Sequence, residues 1–245
     1  VGTIDSVYQA NTTAGFSIVT YTGTGSEGTI AHGLGATPKM IIWKRRDSSA
    51  NWSVQGTQSG IDTDRVELVL NSNGAVSSAD SRIGRQSQWS STVFEVNNYT
   101  DQNADGGTYV AYCFAEKQGY SKFGSYTANG NVDGPFVYTG FRPAWVMFKQ
   151  TNSNDTAHWF IYDSTRSPTN VIGDVGLAAN LSTEEGLGST WNPNTSDSVV
   201  DFVSNGFKIR TTATSGFNIS GNTMIYMAFA EHPFVSSKGV PVTAR

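Results

Sequence analysis

The sequence is poor in cysteine, in charge and in long apolar runs. Its 245 residues include one cysteine, so no disulfide can form within the chain. Charged residues make up only 15% and the net charge is −4, which excludes the basic surface that nucleic-acid binding needs. No apolar run approaches the ~20 residues of a membrane-spanning helix, so we expect no membrane insertion.

Two residue types that often carry chemistry are also scarce. The single cysteine, Cys113, has small apolar neighbours at alternate positions, which indicates a core residue rather than a nucleophile. The three histidines, His32, His158 and His232, show no metal-ligand spacing. His32 lies in a glycine-containing turn, and we expect its imidazole to cap that turn.

What the sequence has in quantity is turn residues and aromatic residues. It contains 26 glycines, and 12% of the chain is aromatic. Short apolar runs are bounded by Gly, Asn, Asp or Pro, and no segment keeps a helical period, so the pattern predicts an all-β fold. The predicted strands are Phe16–Tyr21, Met40–Lys44, Trp52–Gln55, Arg65–Leu70, Thr92–Val96, Thr108–Ala115, Phe123–Thr127, Trp145–Lys149, Trp159–Tyr162, Val199–Val203, Gly206–Arg210 and Thr223–Ala230.

Two patterns occur twice in the chain. Segment 34–44 recurs as 139–149, 105 residues later, and both contain Gly-x-x-Pro and end in Lys. Segment Thr108–Glu116 recurs as Thr223–Glu231, 115 residues later, and both end in Phe-Ala-Glu. The repeats predict two copies of one module.

The length suits this organisation, because about 120 residues is an ordinary domain size. We therefore predict two tandem homologous antiparallel β-sandwich domains of jelly-roll-like type, at residues 1–118 and 119–234. Residues 235–245 are predicted to form an extended C-terminal arm.

Two strands of each repeat are apolar on both faces, namely the strand that follows Gly-x-x-Pro and the terminal strand. In Met40–Trp43 and Trp145–Phe148, both sets of alternate positions are apolar. A strand with one face in water should alternate. We therefore expect the sister domain, long loops or another copy of the chain to cover the second face.

Two tryptophans lie in polar loops, at Trp89 and Trp191. An exposed indole flanked by amides and hydroxyls can stack on a sugar ring, so these residues are candidates for glycan binding. The alternative is a ring folded down over the core or buried at a subunit contact.

The segment 101–106 resembles the first half of a calcium-binding loop. Asp101, Asn103 and Asp105 supply oxygen ligands at positions 1, 3 and 5, and Gly106 follows at position 6. Position 12, which should be Glu, is Tyr112. A polar hairpin turn explains the same residues, so calcium is a candidate ligand and we expect no other cofactor.

Nothing in the residues predicts an enzyme. Glycoside cleavage needs two carboxylates across a cleft, and only Glu116 and Glu231 recur in both repeats. Each ends the last strand of its repeat, which favours a structural role at the chain reversal.

Four segments carry a resemblance to known proteins. They read FSIVTYTGTG (16–25), AHGLGATPKMII (31–42), DFVSNGFKIR (201–210) and PFVSSKGVPVTAR (233–245). They resemble modules of virion proteins of marine tailed bacteriophages, often found toward the C-terminus of long tail-fibre proteins.

The resemblance implies a function and a location. It implies a non-enzymatic virion structural protein, in the distal part of a tail fibre, that binds host-surface glycan. The expected partners are further copies of the chain, as a homotrimer, and other virion proteins. The alternatives are a capsid decoration protein, a tail-borne polysaccharide depolymerase and a secreted adhesin.

Overall fold

The structure is a computed structural model. It describes residues 1–77, 80–152, 157–166, 176–185, 199–212 and 218–233. The chain is all-β with antiparallel sheets, which confirms the predicted fold class. Within the described residues no helix is long and apolar enough to cross a membrane. Trp191 and the predicted arm 235–245 lie outside the described residues.

The chain divides into two compact units. Unit 1 comprises Val1–Asn71 and Val76–Lys117, and unit 2 comprises Ser72–Ala75 and Gln118–Arg245. The main division follows Lys117, one residue before the boundary expected from the sequence. The grouping of Ser72–Ala75 with unit 2 was not expected, because this short loop has no distinctive composition.

Unit 1 contains a six-stranded and a two-stranded sheet. Its strands are β1 (Ser6–Asn11), β2 (Phe16–Thr22), β3 (Gly28–Ala31), β4 (Met40–Arg45), β5 (Trp52–Gly56), β6 (Leu68–Val69), β7 (Val93–Val96) and β8 (Thr108–Phe114), with a 3-10 helix at Gln86–Gln88 and the short helix α1 at Thr100–Asn103. The larger sheet has the order β1-β2-β8-β4-β5-β6, and the smaller sheet pairs β3 with β7. Trp43 and Ala111 of the larger sheet share one core with Ile30 and Phe94 of the smaller sheet.

Unit 2 contains a five-stranded and a three-stranded sheet. Its strands are β9 (Ser121–Thr127), β10 (Phe136–Tyr138), β11 (Pro143–Gln150), β12 (Phe160–Asp163), β13 (Leu177–Ala178), β14 (Val200–Val203), β15 (Gly206–Ile209) and β16 (Thr223–Ala230). The sheet orders are β13-β12-β11-β16-β9 and β10-β15-β14. Phe148 and Tyr226 of the larger sheet share a core with Phe202 and Phe207 of the smaller sheet.

Five strands of the larger sheets follow the same order in both units. The order β2-β8-β4-β5-β6 in unit 1 corresponds to β9-β16-β11-β12-β13 in unit 2. Met40 pairs with Phe114 in unit 1. The residues 105 and 115 positions later, Trp145 and Phe229, pair in unit 2. This shared register supports the two-copy hypothesis.

Both faces of β4 are buried, as its unbroken apolar pattern predicts. Ile41 and Trp43 belong to the core of unit 1. Met40 and Ile42, on the opposite face, are only 1% and 7% exposed. Because this burial is complete within one chain, β4 does not need a trimer to cover it.

Candidate functional site

Trp89 is a core residue and does not form a sugar platform. It follows the 3-10 helix and donates its backbone N–H to Gln86 O at 3.0 Å. Its side chain is 7% exposed, and its ring centroid lies 6.2 Å from that of Trp43. A sugar cannot stack on a ring that the protein interior already covers, so the structure corrects this prediction. The other predicted glycan-binding residue, Trp191, is outside the described residues.

The three predicted calcium ligands are engaged in different ways. Asn103 is buried, its Oδ1 accepts the N–H of Thr24 at 2.9 Å, and its Nδ2 donates to Ser26 O at 2.7 Å. Asp101 is also buried, and Asp105 is exposed. The amide of Asn103 therefore already holds the turn at residues 24–26.

Unit 2 contains an equivalent contact. We call each of these buried asparagines, Asn103 and Asn218, with the turn that it holds, an asparagine clamp. Asn218 Oδ1 accepts the N–H of Asn129 at 3.0 Å, and its Nδ2 donates to Asn131 O at 2.9 Å. Asn218 follows Asn103 by 115 positions, and the turn that it holds follows the turn of unit 1 by 105. These are the two spacings of the sequence repeats, so aligning the two repeats by them could have predicted the contact in both units.

The clamp accounts for Asn103 without a metal ion. In the part of the chain that is described, no group of three or more His, Cys, Asp and Glu side chains could hold a metal. Calcium at Asp101, Asn103 and Asp105 stays a prediction. A calorimetric titration with calcium, compared with the Asp105→Asn variant, tests it.

The carboxylates occupy structural positions. Glu231 Oε2 lies 2.9 Å from Arg142 Nε, so this ion pair anchors the chain after β16. Glu67 is buried, and it accepts hydrogen bonds from the hydroxyls of Ser53 and Tyr99. Burial raises the pKa of Glu67. Its environment is an interior polar network rather than a cleft.

His32 caps its turn, which confirms the prediction. Its Nδ1 accepts the N–H of Leu34 at 3.2 Å, so the ring proton is on Nε2, which donates to Ser90 O at 3.2 Å. Burial lowers the pKa of His32 and keeps the ring neutral.

Unit 2 presents two exposed aromatic rings on one short strand. Phe136 and Tyr138 of β10 are 49% and 62% exposed, and Val137 between them is buried. Alternate residues of a strand share a face, so both rings point outward. Sequence analysis missed them because it did not identify β10 as a strand. The strand has only three residues, all apolar, so the sequence carries no alternation that would have indicated it.

Gly206 makes this arrangement possible. It pairs with Tyr138, and a Cβ at Gly206 would lie 2.0 Å from Val137 O and 3.2 Å from the Phe136 ring. Any side chain there would push β10 and its rings away from β15.

Charged groups border the two rings. Lys208 pairs with Phe136 across β10 and β15, and its Nζ lies 2.6 Å from the exposed Asp133 Oδ1. This hydrogen bond lowers the pKa of Asp133. Asp201, opposite Lys208 on β14, pairs with Arg210 at 2.5 Å. We call Phe136, Tyr138 and Lys208 the β10 aromatic surface.

In unit 1 a tyrosine ring covers Gly33, the backbone position that is equivalent to Tyr138 of unit 2. Gly33 lies 105 positions before Tyr138. The ring of Tyr8, from β1, covers Gly33, since a Cβ there would be 2.2 Å from Tyr8 Cε2. Tyr8 is 48% exposed. Each unit thus exposes a tyrosine beside the edge of its smaller sheet.

The sequence also belongs to a family. Residues 1–233 match the family described as Domain of unknown function (DUF7483). The chain belongs to the DUF7483 family. No curated protein and no solved structure matches the chain. The function of this DUF7483 chain therefore has to be argued from its own residues.

The β10 aromatic surface of this DUF7483 chain has the groups that sugar recognition uses. An aromatic face stacks against the apolar C–H face of a pyranose, and neighbouring charged groups hydrogen-bond to hydroxyls. Lys208 supplies donors and Asp133 supplies acceptors, both already held beside the rings by their ion pair.

Proposed function

We propose that this protein is a non-enzymatic glycan-binding structural protein of a phage virion, placed in the distal part of a tail fibre. The observation that carries the binding proposal is the pair of outward rings at Phe136 and Tyr138. Soluble proteins expose large apolar side chains singly, and adjacent exposed aromatic rings mark a binding surface. The virion location is supported by the resemblance to marine phage tail-fibre modules.

The charges also favour a sugar over an apolar partner. The ion pairs Lys208–Asp133 and Arg210–Asp201 lie beside Phe136 and Tyr138. A polyhydroxylated ligand can use both the ring faces and these hydrogen-bonding groups. Affinity for one sugar is expected to be weak, and several copies on a fibre would raise it through multivalency.

Binding to host polysaccharide tests the proposal directly. We expect Phe136→Ala and Tyr138→Ala each to weaken binding about tenfold or more in calorimetry, because each removes a stacking surface. Val7→Ala is the matched control, since Val7 is exposed and lies in unit 1. Unchanged binding in both aromatic variants, with melting temperatures intact, would reject the β10 aromatic surface as the site.

Two further measurements separate the rival functions. Host polysaccharide incubated with the protein should yield no new reducing ends, whereas a depolymerase would produce them. Electron microscopy of intact particles should place the chain on the tail, in three copies for each appendage. Many copies over the capsid would instead indicate a decoration protein.

A further inference from the structure

Unit 1 contains a cleft that is separate from the β10 aromatic surface. Its volume is about 360 Å³, within the roughly 300–1,000 Å³ of small-molecule sites. The residues that line it include Asp5, Ser6, Tyr8, Gly35, Ser91 and Thr92. We call this the Tyr8 cleft.

One wall of the Tyr8 cleft is the N-terminal segment, which β3 holds in place. The backbone N–H of Ile4 donates to Thr29 O at 3.0 Å. The hydroxyl of Ser6 donates to Ala31 O at 3.2 Å. These bonds on both sides of Asp5 fix the backbone that carries its carboxylate.

The opposite wall is held by His32. Through its two ring nitrogens, this residue joins the loop at Ser90 to the turn at Leu34. Ser91 and Thr92 of that loop, and Gly35 of that turn, line the cleft. His32 is therefore a positioning residue that keeps the two segments together.

The lining groups select a neutral polyol. Tyr8 offers a half-exposed ring, Asp5 an exposed carboxylate, and Ser91 and Thr92 hydroxyl groups. A carboxylate accepts two hydrogen bonds from adjacent hydroxyls. No lysine or arginine side chain is among the described residues that line the cleft, so Asp5 is the charged side chain on its wall and repels an anionic ligand.

We propose that the Tyr8 cleft binds one neutral hexose residue, with the sugar stacked on Tyr8 and two adjacent hydroxyls donating to Asp5. This site goes beyond the proposed function, because it uses another unit and other residues. Each unit would then carry its own sugar site beside the same edge of its smaller sheet.

Titrations with free monosaccharides test the inference. Galactose, glucose and mannose are each titrated into the full chain and followed by ligand-observed NMR, with galacturonate as the acidic counterpart. We expect at least one neutral hexose to bind, and galacturonate to bind about tenfold more weakly than galactose if galactose is that sugar. Tyr8→Ala and Asp5→Asn should each weaken neutral-sugar binding about tenfold.

Matched variants locate the binding. Val7→Ala truncates the neighbouring exposed side chain on the other face of β1, and Asp62→Asn neutralises an exposed carboxylate elsewhere in unit 1. Both should leave the titration unchanged, whereas Phe136→Ala should remove only the contribution of the β10 aromatic surface.

The outcomes distinguish the two sites. If no neutral hexose binds, or if Tyr8→Ala and Asp5→Asn bind as the unaltered chain does, the Tyr8 cleft is not a sugar site. If only Phe136→Ala and Tyr138→Ala lose binding, the inference fails and the proposed function stands. If only Tyr8→Ala and Asp5→Asn lose binding, the inference stands and the β10 aromatic surface is rejected.

Discussion

Lys44 and Lys149 occupy equivalent positions in the two repeats but have different environments. They are the last residues of the segments 34–44 and 139–149, which are 105 residues apart. The amine of Lys44 lies 5.6 Å above the ring of Trp52 on a half-buried face. Lys149 is fully buried and donates to the backbone oxygen of Gln150 at 2.8 Å. Burial lowers the pKa of Lys149 to about 7.

This pKa predicts how stability depends on pH. The unfolded chain holds the Lys149 proton up to its ordinary pKa of 10.5, whereas the folded chain releases it near pH 7. The unfolded state therefore binds more protons in this window, and the free energy of unfolding should rise between about pH 7 and pH 8.5. At higher pH the buried Cys113 thiol and buried tyrosines, whose pKa values burial raises, oppose this rise. Urea unfolding at a series of pH values measures this slope.

A pair of variants isolates the lysine. Lys149→Met should remove most of the slope and raise stability at pH 7, because no charge then has to be buried. Lys44→Met is the control and should keep the slope. A slope that survives in Lys149→Met would show that other groups cause it.

At the scale of single elements, the asparagine clamps hold equivalent turns. Asn103 and Asn218 each accept one backbone N–H and donate to a backbone oxygen two residues further on. Both side chains are fully buried. Removing one side chain removes two hydrogen bonds that hold a turn of mostly exposed residues against the unit.

We therefore predict that Asn103→Ala and Asn218→Ala each lower the free energy of unfolding by about 1–3 kcal/mol. Chemical denaturation of the full chain gives this value. Asn98→Ala is the matched control, because Asn98 is exposed. A loss in either clamp variant no larger than in the control would contradict the role assigned to the clamp.

The strand predictions succeeded for long apolar runs and failed for short edge elements. Met40–Lys44 was predicted and Met40–Arg45 is observed. The strands β1, β3, β10 and β13 were missed, since a short or mostly exposed strand carries little periodic signal. In the predicted strand Arg65–Leu70, only the last residues pair, because Arg65 has a left-handed φ of 65°.

At the scale of the whole molecule, each unit has its own core and its own exposed tyrosine. Tyr8 in unit 1 comes from β1, and Tyr138 in unit 2 comes from β10. Different strands therefore supply a ring to equivalent backbone positions. Two sugar sites in one chain would raise the affinity for a polymeric glycan beyond that of either site.

The burial of β4 within one chain predicts how stability depends on protein concentration. If association completed the core, the melting temperature would rise with concentration by mass action. Because Met40 and Ile42 are already buried, we expect a constant melting temperature over about a hundredfold range of concentration. Calorimetry measures it, and a steady rise would show that copies of the chain associate in solution.

The sequence by itself determined the all-β class, the burial of both faces of β4 and the capping role of His32. Each follows from local information, namely apolar periodicity or a side chain beside its own turn. Only the tertiary structure decided which aromatic rings reach the surface. Trp89 is covered by strands distant in sequence, whereas Tyr138 is left exposed beside Gly206 and Gly140. Exposure depends on what packs against a ring from elsewhere in the chain, and no local pattern contains that information.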